Sequence, residues 1–367
     1  MTGIYIHVPF CERKCPYCAF YSVARLGDTV KAYTDTLKNA ILSFDDNVKA
    51  DTLYFGGGTP PLLGAENIAE IVGICRKKFG LDGAEITVEC NPNSTDIALL
   101  RELRACGVNR LSVGVQSLDD KELAFLGRLH DAAQVRAVLD SAREAGFDNV
   151  SADLMIGIKE QTSESIESSV SELSSLGASH ISVYMIKVES GTAFDCDRVR
   201  NGLLGDDELA QLYLDTVSIC ECYGFKQYEI SNFAKNGLVS RHNLKYWTGE
   251  DYIGFGPSAH SFFKSVRYCC PDDLAAYIRE GQKTVVTEAA PDRAEEYVLL
   301  GLRLNCGISL KKCALFGINA DRLQRMLVLS RRYEKAGLCT LSQDQDNLTL
   351  TPRGMLVSNS IISELLL

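Results

Sequence analysis

Six short apolar runs, each followed by an amphipathic helical segment, fill the first half of the chain. This alternation confines it to a parallel sheet with helices packed on its outer face. The runs are Ile4–Val8, Thr52–Phe55, Glu85–Glu89, Arg110–Val115, Val150–Ile156 and His180–Tyr184, read as continuously apolar strands. Between them Val30, Tyr33, Leu37, Ile41 and Phe44 share one helical face, as do Ile68, Ile71, Cys75 and Phe79. Gly80, Gly107, Gly146 and Gly177 stand where left-handed C-caps would end such helices. Six strand–helix units fall short of the eight that close a full barrel. The expected fold is therefore α/β, an open, partial (β/α)6 barrel with its chemistry at the C-terminal strand ends.

Cys11, Cys15 and Cys18 form a CxxxCxxC run in the loop directly after the first strand. Three thiolates at that spacing, with no fourth following at once, suit a [4Fe-4S] cluster with one iron open to a small ligand. The competing reading is a closed structural zinc site, for which His7 is the nearby fourth ligand. Gly56-Gly57-Gly58-Thr59-Pro60 follows the second strand. Its glycines either offer amides to an anion, as in a nest, or make a tight turn into the next helix. Glu89, Gln116, Arg128 and Asp153 are polar residues in or just beyond apolar strands. They are satisfied core groups or, if they converge at the barrel mouth, partners for a ribose, an ammonium and a carboxylate.

The chain has 367 residues, enough for a large domain and a smaller one. Its 48 acidic and 38 basic side chains give a net charge of −10, which argues against affinity for nucleic acid or anionic lipid. The 14 cysteines are mostly scattered singly on apolar faces, no signal segment opens the chain, and no apolar run is long enough to span a bilayer. A reducing cytoplasm is the expected compartment. The barrel domain is expected over 1–235, a connecting segment over 236–290 and a mostly helical, winged-helix-like domain over 291–367. Lys311, Lys312, Arg322, Arg325, Arg331, Arg332 and Lys335 in that last part read as a solvated helical face and not as a nucleic-acid site.

The segments YIHVPFCERKCPYCAFYS, YFGGGTP, VECNP, GVQS, LGRLH, DLMIG and YEISNFA together resemble the radical S-adenosylmethionine superfamily, in its coproporphyrinogen-dehydrogenase-like branch, over nearly the whole chain. The resemblance implies a [4Fe-4S] cluster on Cys11, Cys15 and Cys18 whose fourth iron is chelated by S-adenosylmethionine. It places Tyr5, Tyr17, Gly57 and Glu89 around that molecule, and Gly58, Thr59, Gln116, Arg128 and Asp153 around a second one. Phe20 stands where the oxygen-independent dehydrogenase has a further cysteine, and its long N-terminal extension has no counterpart before Tyr5. Both departures match the haem-chaperone members of the branch. His242-Asn243-Leu244-Lys245-Tyr246-Trp247 reproduces the HNxxYW motif associated with haem in those chaperones. The resemblance thus implies haem on His242, with Tyr246 and Trp247 stacked on the macrocycle. On the residues alone, a loop histidine hydrogen-bonded beside two packed aromatics is the simpler account. His260, in a glycine-rich loop, is the second candidate ligand. The implied function is a haem chaperone that hands haem to acceptor proteins such as respiratory enzymes. Such a chaperone is compatible with a homodimer and with peripheral membrane contact at most. The alternative is the dehydrogenase itself, decarboxylating coproporphyrinogen III oxidatively to protoporphyrinogen IX.

Overall fold

The computed structural model describes residues 1–24 and 27–367. Strands β1 (Thr2–Val8), β2 (Ala50–Gly57), β3 (Glu85–Cys90), β4 (Arg110–Gln116), β5 (Val150–Ile156) and β6 (His180–Met185) lie side by side in sequence order, all parallel. Register aligns Ile4 with Leu53, Leu53 with Ile86 and Val88 with Leu111, so one face of the sheet is a continuous aliphatic surface. Helices α1 (Gly27–Ser43), α2 (Ala65–Phe79), α3 (Ile97–Cys106), α4 (Asp120–Phe125), α5 (Ala132–Glu144) and α6 (Ser163–Ser175) follow the first five strands, and the longer ones bury their apolar stripes against that surface. Val30, Tyr33, Leu37, Ile41, Ile68, Ile71, Cys75 and Phe79 are all buried there, as the helical periodicity requires.

The other face corrects the expectation of continuously apolar strands. Thr52, Tyr54, Thr87, Arg110, Ser112, Ser151, His180 and Ser182 are buried at alternate positions, aligned across neighbouring strands and turned into the barrel. The strands therefore alternate strictly, with an aliphatic exterior beneath the helices and a polar lumen.

The sheet is also wider than expected. Helix α7 (Asp206–Cys222) leads to β7 (Lys226–Gln227) and β8 (Asn232–Ala234), which pair antiparallel beyond β6. Helix α8 (Arg241–Thr248) and β9 (Tyr252–Phe255) follow, and β9 lies parallel to β1 on its free side, making seven parallel strands. Strands β10 (His260–Phe263), β11 (Val266–Cys269) and β12 (Val285–Glu288) extend that edge antiparallel, with α9 (Leu274–Glu280) between the last two. Segment 236–290 is therefore part of the twelve-stranded sheet and not a connector.

A second core joins α10 (Arg293–Gly301), β13 (Ile308–Ser309), α11 (Leu310–Leu315), α12 (Ala320–Lys335), β14 (Cys339–Leu341), β15 (Asn347–Leu350), α13 (Pro352–Leu356) and α14 (Ser358–Leu366). The three strands pair in the order β13-β15-β14, giving the winged-helix arrangement. Arg325, Arg331, Arg332 and Lys335 are exposed on α12. Among the described residues no helix is long and apolar enough to cross a membrane.

Candidate functional site

A cavity of about 360 Å³ opens where β2 to β6 end, within the size range of small-ligand sites. Cys11, Cys15, Cys18, Tyr17, Gly57, Gly58, Thr59, Glu89, Gln116, Arg128 and Asp153 all line it. Of the residues expected at this mouth, Tyr5 alone lies apart. Its hydroxyl is tied to His7 Nδ1 at 3.1 Å and its ring stacks on Tyr54.

The cysteine loop is fastened to the barrel by backbone pairing. Phe10–Cys11 and Val23–Ala24 form a short parallel ladder, and the Gly58 and Thr59 amides donate to the carbonyls of Val8 and Phe10 at 2.8 and 2.7 Å. The Gly57 amide donates to Glu89 Oε2 at 3.2 Å. All three amides are thus spent on protein partners, which corrects the anion-nest reading of this glycine run. The glycines serve close approach instead. A Cβ on Gly58 would come within 2.4 Å of the Phe10 carbonyl oxygen, and Gly57 has φ +104° with the His7 ring 2.6 Å from where its Cβ would stand.

The same geometry speaks against closed zinc. His7 is buried with both ring nitrogens engaged, Nδ1 by Tyr5 and Nε2 by the Tyr21 carbonyl at 3.1 Å. It cannot turn to the thiols without breaking both bonds. The three thiols are half-buried and face the shared cavity. Arg128 donates from Nη1 to Cys15 Sγ at 3.2 Å, which offsets negative charge on a thiolate-held centre, and Thr59 Oγ1 donates to Cys11 Sγ at 3.8 Å. Burial, ahead of the neighbouring thiols, pushes the Cys18 thiol up. This donor set fits a cluster held by three cysteines with one side left to the cavity.

Glu89 carries the site's electrostatics. Tyr54 OH donates to its Oε1 at 2.8 Å. Burial, reinforced by Asp153, pushes its carboxyl up to about 7. Burial likewise pushes Asp153 up to about 6, against a hydrogen bond from Ser182. Two carboxyls raised in this way are primed to receive a cation, which would supply the charge compensation the barrel withholds. Arg128 Nη2 also donates to Asn91 Oδ1 at 2.6 Å and to the Gly114 carbonyl at 3.0 Å. Gln116 closes β4 with φ +68°, a conformation costly for a residue with a Cβ, and its amide nitrogen stands beside Gly114.

Asn91, Ser112, Met155 and Tyr184 line the cavity and were missed. For two of them the signal was present: Asn91 and Met155 lie two residues from Glu89 and Asp153, and the strand period of two selects them, whereas Ser112 and Tyr184 have no such neighbour among the recognised residues. Asn91 ties Arg128 to Thr59, donating to Thr59 Oγ1 at 3.0 Å.

The HNxxYW motif lies at the opposite end of the barrel, on α8 and not in a loop. The Glu85 carboxylate accepts from the Arg241 and His242 amides at 3.1 Å and caps the helix. Lys245 bonds the Met1 carbonyl and Asp51 at 2.9 Å, fixing α8 across the starts of β1 and β2. His242 is 1% exposed. Its Nδ1 shares a hydrogen bond with Thr52 Oγ1 at 2.8 Å and its Nε2 with Tyr246 OH at 2.9 Å. Burial holds its imidazole neutral, pushed down to about 3. In this structure neither nitrogen of His242 is free and the ring is sealed, so it presents no lone pair to a ligand. Tyr246 packs edge-on against Tyr252 with ring centroids 4.6 Å apart, and the Arg303 guanidinium lies over the half-buried Trp247 at 5.8 Å. His260 is exposed, at the start of β10, and does not line the cavity. His7, His130, His180 and His242 are buried.

The family description "Radical SAM superfamily" matches residues 5–173, and "HemN C-terminal domain" matches residues 289–357. The chain is 35% identical to the haem chaperone HemW of Bacillus subtilis, over 100% of this chain and 99% of that one. It is 34% identical to the haem chaperone HemW of Mycobacterium tuberculosis, over 99% of this chain and 94% of the relative. Radical S-adenosyl methionine domain-containing protein 1 of Danio rerio, a mitochondrial protein, is 32% identical over 100% and 87%. Among solved structures, coproporphyrinogen III oxidase (HemN) from Escherichia coli superposes with a TM-score of 0.83 at 22% identity, covering 99% of this chain and 89% of that chain.

Proposed function

The chain belongs to the radical SAM superfamily, in the branch of HemN and the haem chaperone HemW, and on that footing we propose that it binds haem and delivers it to acceptor proteins. Superfamily membership brings a [4Fe-4S] cluster and S-adenosylmethionine. Cys11, Cys15 and Cys18 would hold the cluster. Tyr17, Gly57, Gly58, Thr59, Glu89, Gln116, Arg128 and Asp153 would surround the S-adenosylmethionine, Glu89 receiving its amino group and Arg128 lying against the thiols. When bound, this pair would supply one-electron chemistry directed at a sulfonium. The protein's part is to desolvate the site, aim Glu89 and keep water off the thiols. The observation that carries the reading is the convergence of three half-buried thiols and a raised carboxyl on one cavity at the strand ends.

Haem coordination by an imidazole falls to His260, the one exposed histidine, with delivery to apo-proteins of the respiratory type as the outcome. The test reconstitutes the cluster anaerobically and titrates haem by its Soret band. In parallel, coproporphyrinogen III is offered with S-adenosylmethionine and a reductant. Haem binding that falls in His260→Ala, with no coproporphyrinogen consumed, is the expected result. Sustained turnover of coproporphyrinogen would replace the chaperone reading by the dehydrogenase.

A further inference from the structure

We infer that the HNxxYW helix α8 is a positioning device for the S-adenosylmethionine site, with His242 bracing Tyr54 so that its hydroxyl keeps the Glu89 carboxylate aimed into the cavity. The inference rests on Glu89 receiving that ligand's amino group.

The path is continuous in the structure. The His242 ring stacks on Tyr54 with centroids 5.1 Å apart and planes 26° apart, and Tyr5 stacks on both at 6.1 and 6.3 Å. Tyr54 OH donates to Glu89 Oε1 and the Gly57 amide to Oε2, so both carboxylate oxygens are set from β2. Nothing else hydrogen-bonds the Tyr54 hydroxyl among the described residues. Its direction is therefore fixed by the rings packed on its face. His242 cannot yield, because Thr52 and Tyr246 hold its two nitrogens and Glu85 holds its backbone amide. The space beneath is equally tight: a Cβ on Gly3 would meet Lys245 Cδ at 2.9 Å and His242 Cε1 at 3.1 Å. A neutral, flat, doubly tethered ring suits this place, since it fills the lumen under Tyr54 without adding a charge that would compete for Glu89.

The test measures S-adenosylmethionine binding by its shift of the reduced cluster's electron paramagnetic resonance spectrum, with iron content and circular dichroism as controls for folding. His242→Leu keeps volume but loses the flat ring and both hydrogen bonds. It should weaken binding about tenfold, the scale of losing one oriented bond to a carboxylate. His242→Phe, which restores a flat ring, should recover part of that loss. Tyr54→Phe should weaken binding by a similar factor, and His242→Leu combined with Tyr54→Phe should be no weaker than Tyr54→Phe alone, because the two act in series. Thr52→Val, a milder change that frees Nδ1, should act in the same direction. Haem titration of His242→Leu should match the parent protein. Additive losses in the double variant, or a lost Soret band with binding intact, would overturn the inference. Glu89→Gln separates the two readings. If it binds normally, the assignment of the site fails; if it binds weakly while His242→Leu binds normally, only the bracing role of α8 fails.

Discussion

The raised carboxyl of Glu89 gives S-adenosylmethionine binding a pH dependence that an ordinary glutamate would not. An amino group donates its hydrogen bonds most strongly to the ionised carboxylate, so the apparent affinity follows the ionised fraction. With the midpoint at about 7, that fraction is about one-eleventh at pH 6 and about ten-elevenths at pH 8, a change of about tenfold. A glutamate at the usual value of about 4.3 would be almost fully ionised at both ends and give a flat profile. Anaerobic titration of the cluster-loaded protein across this range measures the curve. Glu89→Gln should flatten it and weaken binding at the alkaline end by roughly ten- to a hundredfold, the cost of losing one charged hydrogen bond. Stability has the opposite sign. Without ligand, the raised carboxyl stabilises the fold only while it holds its proton. That contribution is full below the unfolded value and is lost as the pH climbs to about 7. Ligand should remove most of this slope. A flat binding profile in the parent protein, or a sloped one in Glu89→Gln, would refute the assignment of Glu89.

Arg110 is 1% exposed and its Nε and Nη1 have no hydrogen-bond partner among the described residues, yet its charge draws Glu89 and Asp153 downward. Arg110→Met should move the binding midpoint to higher pH, read from the same titration. Gly58→Ala should lower iron content on reconstitution while leaving circular dichroism near native, because its Cβ would collide with the Phe10 and Val8 carbonyls that hold the cysteine loop. Alanine at Cys11, Cys15 or Cys18 should each abolish the cluster's optical band. Cys75→Ala, buried under the helices, should keep the band and lower the melting temperature.

Much of this was legible in the chain. Val150–Ile156 is a strand with the bounds its apolar run indicates, and the stripe of Ile68, Ile71, Cys75 and Phe79 is buried as its spacing requires. Local periodicity fixes such elements because each depends on neighbours a few residues away. The lumen was misread because Ser112, Ser151 and Ser182 are small and the strands still read as apolar in bulk; only the alternation reveals the inward face. Helix α8 was hidden for another reason. Its eight residues, RHNLKYWT, are polar on average and too few to mark a helix by themselves. What holds it is distant: Glu85 at its amides, 157 residues before His242, and Thr52 at the His242 ring, 190 residues before it. The glycine run likewise reads as an open nest until Val8 and Phe10 are seen to occupy its amides.

The parallel placement of β9 against β1 has a consequence for how the protein matures. The strand that presents the thiols is an inner strand, hydrogen-bonded on one side to residues 50–57 and on the other to residues 252–255. During synthesis its second flank is absent until roughly seven-tenths of the chain has left the ribosome. A nascent chain stalled before Tyr252 would therefore carry the strand that leads into the cysteine loop with one flank bare, an association-prone edge.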